Sequence, residues 1–379
     1  MLKLFYDTAP LDNFPCGVAV YTCNILAQLA KNPSLDIHTG TKRVSFSGHR
    51  RLKNFIRQNV SDKIKYHPIY FPGRSNLWGA GALCFKSEKY DIVHFTAHIM
   101  PSYVPFDKLD NAVLSVHDMF LWHNEYGKQL NESEKRHVEI LPRQAEQARA
   151  VLTFSEFSKK EIIKFANVAP DKIYVIPEAA QWNCPERTAD KTVMTPFGLE
   201  SGKYFLAVSS LDPHKNYLSL LTAFDKYRKS RVYAGEKLVI VGGRRAGDDA
   251  VYDKITSISA VVHLTNITED VLHQLYLNSA GAFQLSYIEG FGIPLLEAMS
   301  CRIPSCYARG SSMDEIGRDA AFSVEPDDID SISDMFAVFS AGGAEVDARV
   351  QMAYDISQEY SWQKSAAKTF ELYCQLSGK

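Results

Sequence analysis

The sequence predicts an α/β protein of two doubly wound domains, each with a parallel sheet covered by helices on both faces. Short apolar runs alternate with helical patterns along most of the 379 residues. The alternation breaks once, over a proline-containing polar stretch at 177–196, and then restarts. A hydrophobic content of 46% in a chain of this length is sufficient for two separate cores.

The first half begins with a strand at 2–6 and a helix that opens at Gly17, where a ligand could approach the backbone closely because glycine has no side chain. Further strands are predicted at 35–38, 65–70, 91–95, 112–117, 150–154 and 173–176, with helices at 129–147 and 157–165. The same pattern predicts strands in the second half at 204–209, 237–241, 261–264, 282–285 and 303–307, with helices at 217–229, 249–257, 269–278 and 292–301.

These patterns predict a domain at 1–180, a linker at 181–200 and a second domain at 201–358. Residues 327–376 are expected to be helical, and an apolar stripe on the final helix, 359–379, is expected to dock back on the first domain. Doubly wound sheets bind ligands at the carboxyl ends of their strands. The active site is therefore expected between the two domains.

The stretch 286–299 lies at the centre of the functional prediction. An apolar strand leads through a glycine turn into a helix with Pro294 in its first turn. The free N–H groups at such a helix start favour an anion such as phosphate. Glu289 and Glu297 are eight residues apart, about 12 Å along a helix. We therefore expect them to hold two parts of one extended ligand, not to act as a paired acid and base.

The composition of the chain argues against several classes of protein. No apolar segment is long enough to span a bilayer, and the first residues lack the features of a signal peptide, so a cytoplasmic protein is expected. Seven cysteines without a CxxC pair predict reduced thiols, neither a disulfide framework nor a zinc site. No cluster of His, Asp and Glu has metal-ligand spacing, so no metal is expected.

Charge is distributed unevenly along the chain. Residues 1–180 carry 23 Lys and Arg against 18 Asp and Glu, which leaves 19 against 26 in the remainder. Nine basic residues fall within 41–74, among apolar residues at helical spacing. A helix at 49–60 fits two interpretations equally: it lies on an anionic membrane surface, or it packs one face on the core. No nucleic-acid module signature accompanies the basic run, so no nucleic-acid partner is expected.

Several segments carry a family resemblance. The string SYIEGFGIPLLEAM at 286–299 resembles the E-x7-E region of the family 4 retaining glycosyltransferases, and 204–217 resembles the family's donor diphosphate turn. Further similar segments lie at 116–118, 151–158, 173–177 and 360–362. The resemblance covers nearly the whole chain. It implies the GT-B fold, with two facing Rossmann-like doubly wound domains and a C-terminal helical crossover.

The resemblance implies roles for individual residues. Glu297 would bind the donor ribose, Glu289 would lie near the donor sugar, and Lys215 would neutralise the diphosphate of the leaving group. His117 and Gly17 would approach the donor sugar from the first domain, and the catalytic candidates are Glu289, His117 and Lys215. The remaining donor-binding candidates are Ser209, His214, Arg244, Gly290, Phe291, Gly292 and Ile293.

The chain departs from the family pattern in the diphosphate turn. Ser209 and Ser210 replace glycines that are frequent there, and His214 replaces an arginine. A neutral histidine cannot form the bidentate guanidinium contact, so either the diphosphate protonates His214 or Arg244 or Arg245 supplies the cation. Further departures from the family pattern are Ala19, Val20 and Arg302.

Together these features predict a metal-independent retaining glycosyltransferase that moves a hexose from a nucleoside diphosphate to an acceptor hydroxyl. Similarity to bacterial mannosyltransferases of O-antigen-type polysaccharide synthesis favours GDP-mannose as the donor. The expected acceptor is a saccharide, carried on a polyprenyl diphosphate. Two alternatives stay open: a UDP-sugar transferase of the same fold and a two-domain sugar-binding protein without catalysis. A nicotinamide oxidoreductase is disfavoured because no G-x-G-x-x-G follows a strand.

Overall fold

The computed structural model describes residues 1–13, 16–40, 42–43, 46–67, 69–70, 87–97, 110–123, 130–244 and 249–379. The chain divides into two compact units. Unit 1 comprises residues 1–122, 130–178 and 361–379, and unit 2 comprises 123–129 and 179–360. Residues 181–200, expected to be a linker, lie within unit 2, where Cys184, Met194 and Leu199 are buried in its core.

Unit 1 contains a seven-stranded parallel sheet and a separate two-stranded parallel sheet. The strands are β1 (Leu2–Asp7), β2 (Leu35–Gly40), β3 (Lys42–Arg43), β4 (Lys65–Tyr66), β5 (Ile69–Tyr70), β6 (Ile92–Phe95), β7 (Ala112–Ser115), β8 (Ala150–Thr153) and β9 (Ile173–Val175). The large sheet has the order β4-β2-β1-β6-β7-β8-β9, and β3 pairs with β5. Strands β6, β7 and β8 are buried along their whole length, as expected for parallel strands covered on both faces.

Before residue 179, the described part of unit 1 contains the helices α1 (Gly17–Leu29), α2 (Phe46–Asn59), α3 (Glu132–Gln147) and α4 (Glu156–Ala166). The start of α3 is fixed by a capping box, in which Asn131 accepts from the Glu134 amide and the Glu134 carboxylate accepts from the Asn131 amide. The helix therefore begins at Glu132, and its predicted start at 129 lies outside the described residues. Ser155 caps α4 with its side chain, which accepts from the Ser158 amide.

Unit 2 contains a six-stranded parallel sheet. Its strands are β10 (Tyr204–Val208), β11 (Lys237–Val241), β12 (Val261–Leu264), β13 (Gly281–Gln284), β14 (Ser305–Ala308) and β15 (Phe322–Val324). The order is β12-β11-β10-β13-β14-β15, so the chain winds outward from β10 and then returns to place β13 on the other side of β10. The direction of winding reverses between β10 and β13. This is the position at which open α/β sheets form a ligand crevice.

The α-helices that accompany the second sheet within the described residues are α5 (Tyr217–Arg228), α6 (Asp249–Ser257), α7 (Glu269–Asn278), α8 (Ile293–Ser300), α9 (Met313–Gly317), α10 (Ile329–Ala341) and α11 (Ala344–Ser357). Stacked rings link the sheet to α10, with the centroids of Phe283 and Phe336 only 4.1 Å apart. A Cβ atom at Gly281 would lie 2.4 Å from the ring of Phe339. The glycine therefore allows β13 to pack directly against α10.

The last helix, α12 (Trp362–Ser377), belongs to unit 1. The Tyr373 hydroxyl hydrogen-bonds Nδ1 of His94 on β6, and Ser365 Oγ donates to the carbonyl of Pro177. Burial lowers the pKa of His94 to about 3, so this histidine is neutral at ordinary pH. The prediction of two Rossmann-like α/β domains with a C-terminal helical segment is confirmed.

The basic helix α2 packs its apolar face inside the protein. Leu52 and Ile56 are buried, whereas Arg50, Arg51 and Arg57 are exposed. Core packing therefore already covers Leu52 and Ile56, which are not available to a membrane surface. Contact between this helix and a membrane stays a prediction. Residues 71–74 of the basic run lie outside the described residues. Across the described ranges, no helix has the length and apolarity needed to cross a membrane.

Candidate active site

The predicted site residues of unit 2 follow the carboxyl ends of three adjacent strands. Ser209 comes directly after β10, Arg244 comes shortly after β11, and Glu289 lies on the loop after β13. Because parallel strands end at the same edge of a sheet, these loops share one edge. The amide of Tyr287 donates to the carbonyl of His214 at 2.9 Å, which joins the turn after β10 to the loop after β13.

An ion pair connects two of the catalytic candidates. Nζ of Lys215 lies 2.7 Å from Oε1 of Glu289, and the two side chains are only 15% and 13% exposed. Lys215 ends a short 3-10 turn, and Asn216 then adopts a left-handed conformation with φ of 55° before α5 begins. The structure thus brings together two residues that lie 74 positions apart in the sequence.

Two further side chains hold the same carboxylate oxygen. Gln284 Nε2 and Ser286 Oγ each donate to Oε1 of Glu289 at 2.7 Å. Both residues are buried, and neither was singled out from the sequence. The sequence signal for them was weak: Gln284 ends an otherwise apolar buried strand, and Ser286 lies two positions later. With Lys215, three donors converge on one oxygen and fix the orientation of the carboxylate.

Hydrogen bonds from Ser312 stabilise the loop between Glu289 and α8. The Ser312 hydroxyl lies 2.8 Å from the carbonyl oxygen of Glu289 and 2.9 Å from that of Phe291, and it donates to these oxygens. Gly292 has φ of 108°, a conformation that side-chain-bearing residues rarely adopt. Gly292 is also the N-cap residue of α8 and supplies no capping side chain. Pro294 has no N–H, and the amides of Leu295 and Leu296 donate to the Gly292 carbonyl, so an anion at this helix start would use the amide of Ile293 and those of the loop before it. Anion binding here stays a prediction.

Glu297 occupies a different environment inside α8. Its side chain is buried with a residue exposure of 7%, and its hydrogen-bond partners are the side chain of Tyr276 and the backbone of Gln181. Burial raises the pKa of Glu297 to about 8, against the opposing effect of the Tyr276 hydrogen bond. The carboxyl group is therefore largely protonated at neutral pH in the ligand-free protein.

The turn after β10, which is predicted to bind the donor diphosphate, accommodates Ser209 through a close backbone contact. A Cβ atom at Gly242 would lie 1.8 Å from the Ser209 carbonyl oxygen, so the glycine at 242 is required. The Ser209 hydroxyl lies 2.7 Å from the hydroxyl of Tyr217. His214 is buried. The glycine that allows the backbone of this turn to approach its neighbour closely is therefore Gly242, which directly follows β11.

The candidate cation Arg244 and the departure Arg302 have different environments. The guanidinium of Arg244 stacks over Tyr252 at 3.9 Å and pairs with Asp249 at 3.1 Å, on a side chain that is 46% exposed. Arg245 lies outside the described residues. Arg302 adopts φ of 55° just after α8, a position where glycine is usual, and its guanidinium stacks over Tyr354 at 3.5 Å. We therefore interpret Arg302 as a residue that stabilises unit 2.

The two site candidates of unit 1 follow β1 and β7. Gly17 is the first residue of α1, and a Cβ atom there would meet no protein atom within 4 Å, so packing does not require a glycine. His117 is buried; its Nε2 donates to the Thr96 carbonyl at 2.9 Å, and its Nδ1 lies 3.5 Å from Oε1 of Glu178. Glu178 is a partner that sequence reasoning missed.

Comparison with known proteins gives the family. Residues 15–180 match the family described as Glycosyltransferase Family 4, and residues 195–354 match the family described as Glycosyl transferases group 1. O-antigen chain mannosyltransferase B of Escherichia coli is 23% identical over 98% of this chain and 99% of its own length. O-antigen chain mannosyltransferase RfbU of Salmonella typhimurium is 27% identical over 72% of this chain and 71% of its own length.

A solved structure supports the same fold. The Anabaena protein HepE, crystallised with UDP and glucose, has a TM-score of 0.72 and 15% sequence identity, covering 98% of this chain and 99% of its own. Both family matches are to transferases, which decides between catalysis and the sugar-binding alternative. The first match lies almost wholly in unit 1 and the second in unit 2. The chain belongs to the glycosyltransferases, with a Family 4 domain followed by a group 1 domain.

Proposed function

We propose that this glycosyltransferase transfers mannose from GDP-mannose, with retention of configuration, to a saccharide carried on a polyprenyl diphosphate. The two relatives named as O-antigen chain mannosyltransferases support the choice of sugar and acceptor class. The observation that carries the assignment of a diphosphate-containing donor is the Lys215–Glu289 pair beside the start of α8, which carries no capping side chain. An ammonium group and a helix start together provide the positive potential that a diphosphate needs.

In this proposal the chain stabilises the leaving group without a metal. The bond between the sugar and the diphosphate breaks, and its electron pair leaves with the nucleoside diphosphate. Lys215 and the amide of Ile293, with those of Gly290, Phe291 and Gly292 before it, stabilise the charge that develops. The acceptor hydroxyl forms the new bond on the face that the leaving group vacates, and its proton passes to a phosphate oxygen of the departing diphosphate.

Glu289 and Glu297 have separate tasks in this scheme. Glu289 holds the Lys215 ammonium in place before the donor binds and then accepts from a hydroxyl of the donor sugar. Glu297 binds the ribose hydroxyls. Arg244, paired with an exposed aspartate on a half-exposed side chain, would exchange that partner for a phosphate oxygen. The roles of His117 and Gly17 remain those implied by the family resemblance.

Donor choice is tested by comparing GDP with UDP in isothermal titration calorimetry. We expect GDP to bind at least about tenfold more tightly, a difference of about 1.4 kcal/mol. Release of GDP from GDP-mannose should then depend on an added polyprenyl-diphosphate saccharide. Equal or tighter binding of UDP would instead favour a UDP-sugar donor, the alternative suggested by the UDP bound to the fold relative HepE.

We also propose peripheral contact between the basic face of α2 and an anionic membrane on the cytoplasmic side. Because Leu52 and Ile56 are buried, this contact is electrostatic and does not insert apolar side chains. The triple variant Arg50→Gln, Arg51→Gln and Arg57→Gln should reduce partitioning to phosphatidylglycerol vesicles by about 100-fold, at about 1 kcal/mol for each basic residue.

Vesicle sedimentation measures this effect, and added salt should weaken binding of the unmodified protein. The control carries Lys226→Gln, on α5 of unit 2, and Lys229→Gln, directly after that helix, and both side chains are exposed. Equal partitioning of the triple variant and the unmodified protein would exclude α2 as the contact surface.

A further inference from the structure

Three side chains of unit 2 form a cluster of two thiols and an imidazole that the candidate active site does not use. Sγ of Cys184 lies 3.7 Å from Sγ of Cys301 and 3.1 Å from Nε2 of His273, and one ligand atom from each residue lies within 4.8 Å of the others. Both cysteines are buried and His273 is half-buried. The three positions are far apart in the sequence, so no short spacing motif could reveal them.

The distances fit a tetrahedral metal site better than a disulfide. Zinc–sulfur bonds of about 2.3 Å place two thiolates about 3.8 Å apart at the tetrahedral angle, close to the spacing of Cys184 and Cys301. A zinc–nitrogen bond of about 2.0 Å places His273 Nε2 about 3.5 Å from a thiolate, so a small side-chain movement is sufficient. A disulfide would require the two sulfurs to approach to about 2.05 Å.

The ligand types in this cluster favour zinc over other metal ions. Two thiolates and one imidazole are the ligands that Zn²⁺ prefers, whereas Mg²⁺ and Ca²⁺ prefer oxygen ligands. Neighbouring residues already orient the ligands. The indole of Trp182 stacks on the His273 ring with centroids 4.8 Å apart and an angle of 10° between the planes. Nε of Arg302 donates to the Cys184 carbonyl, which holds the backbone of this ligand residue.

We propose that Cys184, His273 and Cys301 bind a single Zn²⁺ ion, with a water molecule at the fourth position. The partial exposure of His273 gives solvent access to that position. This site is structural and takes no part in sugar transfer. It would fasten residue 184 to α7 and to the end of α8, the helix that begins at the candidate active site and carries Glu297. This differs from the expectation drawn from the missing CxxC pair.

The test uses the full chain, stripped of metal with a chelator and kept reduced with a phosphine. Zn²⁺ is titrated in competition with a chromophoric chelator, and Co²⁺ is used as a spectroscopic substitute. We expect one Zn²⁺ per chain, absorption from thiolate-to-cobalt charge transfer, and a thermal midpoint that rises with Zn²⁺ concentration because the ion binds only the folded state tightly.

Variants separate this site from other thiols. Cys184→Ser and Cys301→Ser should abolish stoichiometric binding, and His273→Gln, on the half-exposed side of the cluster, should weaken it by more than about tenfold. Cys374→Ser, on α12 of unit 1, is the matched control and should bind Zn²⁺ normally. If Cys184→Ser fails to fold, His273→Gln still decides the question.

Three results would overturn the proposal. The first is an absence of stoichiometric Zn²⁺ binding to the reduced chain. The second is an affinity that His273→Gln leaves unchanged. The third is a Cys184–Cys301 disulfide that forms readily in air while the reduced chain takes up no metal, which would make the two thiols a redox pair.

Discussion

Replacing Lys215 with alanine should lower kcat/KM for the sugar donor by about 100- to 1000-fold. Removal of a single preorganised donor to a developing negative charge has an effect of this size. Lys215 is the cation placed beside Glu289 and the start of α8, so its loss leaves the departing diphosphate without its main counter-charge. The measurement is release of the nucleoside diphosphate in the presence of acceptor. Glu289→Ala should also lower kcat/KM for the sugar donor.

The control for this variant is Lys226→Ala. Lys226 also forms an ion pair, with Asp330, but both side chains are largely exposed, so activity should stay within about twofold of the unmodified protein. Circular dichroism distinguishes lost chemistry from lost structure. If Lys215→Ala and Glu289→Ala both retained full transferase activity while folded, the donor-site assignment would be wrong.

Glu297→Gln should stabilise the ligand-free protein at alkaline pH and weaken donor binding. The folded-state pKa of Glu297 is about 8, against an ordinary value of 4.5. Between these values the folded protein retains a proton that the unfolded chain has released, so stability falls as pH rises through this window. The loss is on the order of 5 kcal/mol above pH 8, at about 1.4 kcal/mol for each of the 3.5 pKa units. Glutamine cannot ionise and removes this loss.

Chemical denaturation across the pH range 4 to 9 measures the effect as a difference between the two proteins. The difference in the free energy of unfolding should be small near pH 4.5 and largest above pH 8. Glu371→Gln, an exposed site on α12, should show no such trend. A variant that is less stable than the unmodified protein at every pH would mean that Glu297 is ionised in the fold. Weaker GDP binding, by about tenfold, reports the lost contact to ribose.

The strands and helices of unit 2 were largely predictable because each buried strand is a short apolar run between turn residues. The predicted helix α7 agrees with the structure from end to end, and its N-cap residue, Thr268, accepts from the amide of Val271. Strand β15 was missed because its three residues, at the edge of the sheet, carry no recognisable apolar run. Short edge strands owe their structure to pairing partners, which local sequence does not specify.

The candidate site was predictable only in part. Glycines and a proline around 290–294 identify the loop and helix start, because their backbone requirements are local. The contact between Lys215 and Glu289, and the converging donors Gln284 and Ser286, depend on which strands become neighbours. The pKa of Glu297 depends on burial by distant segments. Neither pairing nor desolvation can be read from spacing in a single sequence.

The membership of α12 in unit 1 has a consequence for folding in the cell. Residues 361–379 are synthesised after residues 179–360, yet they supply Tyr373, the partner of His94 on β6. Unit 1 therefore cannot close its buried hydrogen bonds until all of 179–360 has been made, although its own sheet emerges first from the ribosome. Until then the core of unit 1 is incomplete, and its exposed apolar surface can associate with other chains. A chaperone that shields the nascent first unit would be most useful at this stage.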